Sequence, residues 1–309
     1  MSRPRSSGLI TRFNPWWGCS RVSPACQHCY AETFAHRYGH DIWGKDSDRR
    51  FFGDKHWNEP LRWNRKAEAD GVRRRVFCAS MADVFEARAD LDEPRARLWE
   101  LIAETPWLDW LLLTKRPASV HALAPARWFV EPGNLLCEAC SGSASLPLGT
   151  TCNEHEPRMT GWPANVWIGT TVEDQQRADE RLPLLRSIPA GIRFLSCEPL
   201  LGPLDLDLTG ISWVIVGGES GPGARPMDPE WVRTLREQCV SANTRGTERD
   251  ASPAFLFKQW GDWADEGHPL AALEGRPHHV FESGEHVYRV GKKVAGRVLD
   301  GRTWDEVPR

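Results

Sequence analysis

Short apolar runs recur along the chain, each bounded by polar and turn residues. They are Val76–Ala79, Trp110–Thr114, Val166–Gly169, Phe194–Cys197, Trp213–Val216 and Phe255–Phe257. Runs of this length fit strands buried on both faces, as in a parallel sheet. A weaker first strand is expected near Leu9–Phe13. Helical spacing fills several of the gaps. Pro94–Thr105 sets Leu98, Leu101 and Ile102 on one face, with proline in the first turn where a missing N–H costs little. Asp174–Ser187 has a leucine face, and Pro183 is expected to end or kink it. Pro229–Ala242 aligns Trp231, Leu235 and Cys239. Strand–helix alternation argues for the α/β class, and about seven strands for a partial (β/α) barrel. The stretch 198–210 is short for a crossover, so that unit is expected to lack a helix.

Two segments depart from this alternation. Residues 132–163 are rich in Gly, Ser, Thr and Cys and read as an insert. From residue 264 to 309 the pattern becomes strand–turn–strand, with Gly284, Gly291, Gly296 and Gly301 as punctuation. The organisation expected is therefore a barrel over 1–263, carrying the insert, and a C-terminal β appendage.

The formal charge of −3 gives no global signal for nucleic acid. Arginine outnumbers lysine, which reads as genome composition. The opening residues are short and polar, and no run reaches the ~18 apolar residues of a membrane span. A cytoplasmic location is expected, with no membrane partner. In that compartment the nine cysteines favour metal binding or catalysis over disulfides.

In parallel α/β folds ligands bind at the carboxyl ends of the strands. Those ends are polar here. They supply Ser80, Met81 and Asp83; then Thr114, Lys115 and Arg116; then Thr170, Thr171, Glu173 and Asp174; then Glu198; then Gly217, Gly218, Glu219 and Ser220; then Lys258 and Gln259. Asp174 stands at a helix start and reads as an N-cap. The segment Val214–Gly223 (VIVGGESGPG) matches neither a dinucleotide fingerprint nor a P-loop. Its glycines mark a tight turn or a close backbone approach.

Cys19, Cys26 and Cys29 form C-x6-C-x2-C inside the loop 14–30 that follows the first strand. Thiolates so close together call for a soft metal. Three cysteines leave a [4Fe-4S] cluster one iron short of full protein ligation. Zinc, with His28 or His36 as fourth ligand, is the alternative. A second group, Cys137-x2-Cys140 and Cys152-x2-His155, has the spacing of a structural zinc knuckle. Cys78 and Cys197, in strand runs, and Cys239, on a helix, read as core.

The stretch NPWWGCSRVSPACQHCYAE resembles the signature of a phage- and prophage-encoded family of uncharacterised function. RVFCASMADVFE, DWLLLTKRP, NVWIGTTVEDQ, RFLSCEPLLGP, VIVGGESGPGARPM and FLFKQWG extend the likeness over most of Ile10–Trp260. That family looks like a divergent branch of the radical S-adenosylmethionine enzymes. The resemblance implies a partial (β/α) barrel and a cluster whose open iron binds the amino and carboxylate groups of S-adenosylmethionine. It also implies reductive cleavage of that cofactor to a 5′-deoxyadenosyl radical, with a reductant supplying the electron. The first cysteine gap is six residues where the superfamily usually has three, and Ser80, Met81 and Asp83 stand in place of its Gly-Gly-Glu.

On this resemblance Asp83 is the candidate acceptor for the cofactor's amino group. Thr170, Thr171 and Glu173 are candidates for ribose hydroxyls or substrate, beside Gly217 and Gly218. Lys115, Glu198, Glu219 and Lys258 are the candidate catalytic side chains, able to move protons. The substrate class implied is a nucleic acid or nucleotide. Trp43, Trp57 and Trp63 lie among basic residues and add a candidate stacking surface for single strands. The second reading is a zinc-stabilised barrel that docks nucleic acid or a protein partner without radical chemistry.

Overall fold

The computed structural model describes residues 11–132, 135–136, 158–242, 252–268 and 273–308. Seven strands build the main sheet: β1 (Thr11–Phe13), β2 (Arg74–Cys78), β3 (Leu108–Thr114), β4 (Val166–Thr171), β5 (Arg193–Cys197), β6 (Trp213–Gly217) and β7 (Ala254–Gln259). The longer helices among the described residues are α1 (Tyr30–Arg37), α2 (Glu59–Asp70), α3 (Asp92–Ala103), α4 (Gln175–Arg186) and α5 (Pro229–Ala242). The fold is mixed α/β with a parallel sheet. Its strands follow sequence order throughout. Such a singly wound order has no switch point, unlike doubly wound sheets.

The chain divides into two compact units. The first takes 1–20, 42–168 and 187–191; the second takes 21–41, 169–186 and 192–309. In the first, β1 pairs with β2 and β2 with β3 in parallel, with Phe13 opposite Cys78 and Val76 opposite Trp110. Trp110 N–H then donates to Asn165 O at 2.7 Å, at the entry to β4. Phe13, Val76, Cys78, Leu108, Trp110 and Leu112 share one face of the sheet and are fully buried, while Arg12, Arg75 and Phe77 on the other face are exposed or half-buried. From α3, Leu98, Leu101 and Ile102 are buried as their spacing predicts.

In the second unit β5, β6 and β7 run parallel, with Phe194, Trp213 and Ala254 in register. Gly169 of β4 admits the Phe194 ring; a Cβ there would stand 2.4 Å from it. No helix lies between β5 and β6, as the length of that stretch predicts. Pro183 does not end α4, which runs on to Arg186. The proline is exposed between buried Leu182 and Leu185, so its ring and its lost hydrogen bond lie on the solvent side. The appendage is an antiparallel sheet of β8 (Trp263–Asp265), β9 (His278–Val280) and β10 (His286–Arg289), with β10 in the middle.

Two helices escape the hydrophobic pattern. α1 begins directly after Cys29. α2 occupies the tryptophan- and base-rich segment, with Pro60 in its first turn and left-handed Gly71 (φ 62°) at its end. Of the three tryptophans expected to form a stacking surface, Trp63 is half-buried and the other two are buried. Trp57 is buried edge-on against Phe13 at 5.4 Å and donates to Phe52 O, and Trp43 is also buried. The zinc-knuckle residues Cys137, Cys140, Cys152 and His155 lie outside the described residues.

Candidate functional site

In the first unit, Cys19 sits in a network of charged side chains. Gly18, at φ 114°, lets the chain turn beneath Ile42; a Cβ there would stand 2.5 Å from Ile42 O. Cys19 Sγ then accepts a hydrogen bond from Arg116 Nη1 at 3.6 Å. The same guanidinium donates to Asp83 Oδ2 (2.9 Å), Ser20 O (2.9 Å) and Ser20 Oγ (2.9 Å). Ser20 Oγ donates to Glu86, and Glu86 takes a forked pair from fully buried Arg49 at 2.9 and 3.2 Å. Burial, then the Asp83 carboxylate, push the Cys19 thiol up to about 12, against the pull of Arg116.

Asp83 is thereby fully engaged. Besides Arg116 it accepts from Thr114 Oγ1 (2.7 Å), Lys115 N–H (3.0 Å) and Phe85 N–H (3.0 Å). A carboxylate offers about four acceptor sites. Asp83 therefore orients Arg116 and the end of β3, where the sequence suggested a bond to an incoming amino group. Lys115 is half-buried at the same strand end.

In the second unit the remainder of the loop is held by two further ion pairs. Glu173, fully buried, pairs with Arg181 at 2.9 Å and accepts from Ala25 N–H at 3.3 Å. Arg225 binds Glu219 with its guanidinium (2.6 and 2.9 Å) and with its own backbone N–H (2.9 Å), and reaches Pro24 O at 3.1 Å. Pro24–Cys26 is a 3₁₀ turn, and Cys29 caps α1. His28 packs over left-handed Gly223, where a Cβ would stand 2.8 Å from the ring. Asp174 is the N-cap expected, accepting from Arg177 N–H at 2.8 Å.

Glu198 and Lys258, two of the candidate catalytic residues, form an ion pair at 2.7 Å, and Gln259 donates to the same carboxylate at 3.2 Å. Gly217 leaves room for it: a Cβ there would lie 3.2 Å from Glu198 Oε1. Gly218 allows closer contact still, since its Cβ would meet Trp260 O at 2.0 Å. Both glycines serve close backbone approach, while Gly221 and Gly223 supply the positive-φ turn. Thr170 and Thr171 are fully buried at the end of β4. Thr171 Oγ1 and Ser220 Oγ are buried without a hydrogen-bond partner among the described residues. Cys78, Cys197 and Cys239 are buried, as the pattern indicated.

Residues 10–308 match the model of a family described as a protein of unknown function (DUF5131). The chain belongs to that family. No curated protein and no solved structure matches it. No described helix of this DUF5131 chain is long and apolar enough to cross a membrane.

Cys19, Cys26 and Cys29 form no disulfide and are half-buried. Among the described residues no three Cys, His, Asp or Glu side chains converge as ligands of a single metal ion would. A cluster makes a different demand, because it spreads its thiolates over separate irons. Three soft donors within eleven residues of chain have the chemistry of that donor set. The residues that sequence reasoning left without a role are arginines: Arg49, Arg116, Arg181 and Arg225. Each pairs with an acidic residue, and the signal was present only as positively charged residues of unknown partner.

Proposed function

We propose that this DUF5131 chain is an iron–sulfur enzyme of the radical S-adenosylmethionine type. The observation that carries the reading is the anchoring of the cysteine loop. Its backbone is bonded at Ser20, Pro24 and Ala25 by Arg116, Arg225 and Glu173, each a member of an ion pair with a partner near the carboxyl end of a strand. A loop of free thiols needs no such hold, whereas ligands of a cluster do. When bound, the cluster would supply one electron to a coordinated S-adenosylmethionine.

Cys19, Cys26 and Cys29 would hold it. The unpartnered hydroxyls of Thr171 and Ser220 support a polar ligand nearby, since buried hydroxyls are normally paired. The Glu198–Lys258 pair, half-exposed on the lysine side, can hold or pass a proton. The substrate class implied remains a nucleic acid or nucleotide, and the 137–155 knuckle would take zinc. Anaerobic purification with iron, sulfide and zinc analysis and EPR tests the reading. About four irons per chain, and an EPR signal that S-adenosylmethionine perturbs, are expected. Zinc alone, persisting after reconstitution, overturns it in favour of a zinc-stabilised binding protein.

A further inference from the structure

We infer that Arg116 is a positioning residue for the cluster ligand Cys19, and that its N–H···S bond raises the reduction potential of the group the three cysteines hold. The inference rests on the cluster reading above. Its geometry is independent of that reading. Arg116 stands between a carboxylate and a sulfur: Nη1 is 2.9 Å from Asp83 Oδ2 and 3.6 Å from Cys19 Sγ. Nη2 is bound twice to Ser20, the residue after the ligand. Glu86, 3.7 Å away, closes the other side, and Arg49 holds Glu86 in turn. The guanidinium is therefore fixed in one orientation, with a nitrogen directed at sulfur.

Reduction adds an electron to a cluster that already carries negative charge. A donor with full positive charge bonded to one ligating sulfur favours the reduced form, and hydrogen bonds to sulfur are a recognised lever on such potentials. Lysine at this position keeps the charge but cannot bond Asp83, Ser20 and Cys19 at once. Charge and geometry are therefore separable.

The experiment compares wild type with Arg116→Met and Arg116→Lys, reconstituted anaerobically with iron and sulfide. The readout is the midpoint potential, from EPR-monitored titration. At a fixed poise the reduced-to-oxidised ratio is expected to fall about tenfold in Arg116→Met, which is 59 mV for one electron. Arg116→Lys is expected to recover part of the shift. Equal potentials in all three, at equal iron content, overturn the inference.

A second measurement does not need iron. In the metal-free protein, a double-mutant cycle of Cys19→Ala and Arg116→Met on the thermal midpoint is expected to be non-additive. Additivity there rules out the contact itself. Failure of wild type to take up iron overturns the cluster reading and the claim on potential, while the cycle still decides whether Arg116 holds Cys19.

Discussion

Arg225 binds Glu219 through its backbone N–H as well as its guanidinium, and the same guanidinium holds the carbonyl of Pro24. The residues lie 201 positions apart in sequence, so one side chain ties the cysteine loop to the end of β6. Glu219→Gln keeps an acceptor but removes the charge that orients Arg225. It is expected to cost about 1–3 kcal/mol in urea unfolding and to speed amide exchange at Val22–Gln27. Unchanged exchange in that segment would show that Arg225 does not restrain it.

Gly218 and Gly202 make a matched pair for the close approach of the strand ends. A Cβ at Gly218 meets Trp260 O at 2.0 Å, while one at Gly202 meets nothing within 4 Å. Gly218→Ala is expected to cost about 3 kcal/mol by overpacking, and Gly202→Ala to stay within about 0.5 kcal/mol of wild type. Denaturant midpoints of the two variants measure this directly.

Asp300 offers a dependence on pH. Burial pulls its pKa up, but Arg236 and Arg233 outweigh it and hold the carboxyl below the ordinary 3.8. A carboxylate depressed in the folded state stabilises above its unfolded value and loses that contribution as pH falls through its folded value. Wild type is therefore expected to be more stable than Asp300→Asn at pH 6. The gap should close as pH drops below about 4, read as thermal midpoints. Asparagine tolerates the left-handed backbone at this position (φ 49°), so the comparison isolates the charge. A gap that persists at low pH would assign the effect to packing.

The two cysteine groups are expected to be separable. Cys140→Ala should lower zinc by one ion per chain and leave iron unchanged, whereas Cys26→Ala should do the reverse. Metal analysis of both variants checks this. Loss of iron in Cys140→Ala would join the two sites.

Much of the sheet was legible because its signal is local. Trp110–Leu113 and Trp213–Val216 are unbroken apolar runs, which suit strands of a buried parallel sheet. α5 begins and ends where its periodicity does. The candidate site was legible only in part. Asp83, Glu173 and Glu219 were correctly placed at strand ends, yet each is matched to an arginine instead of standing open. Arg181 and Arg225 lie only 8 and 6 positions from their acids and Arg116 lies 33 away, but hydrophobic periodicity carries no information about such charge pairs at any separation. α2 was obscured for the reverse reason: Trp63 among its arginines suggested a surface, while its buried face is Pro60, Asn64 and Ala67.

The preference for arginine over lysine has a structural side as well. Arg49, Arg95, Arg116 and Arg225 each use two or more nitrogens to grip a carboxylate and a backbone carbonyl together. An ammonium group cannot reproduce that fork. Lysine at any of these four positions is therefore expected to leave the carboxylate or the carbonyl without its donor.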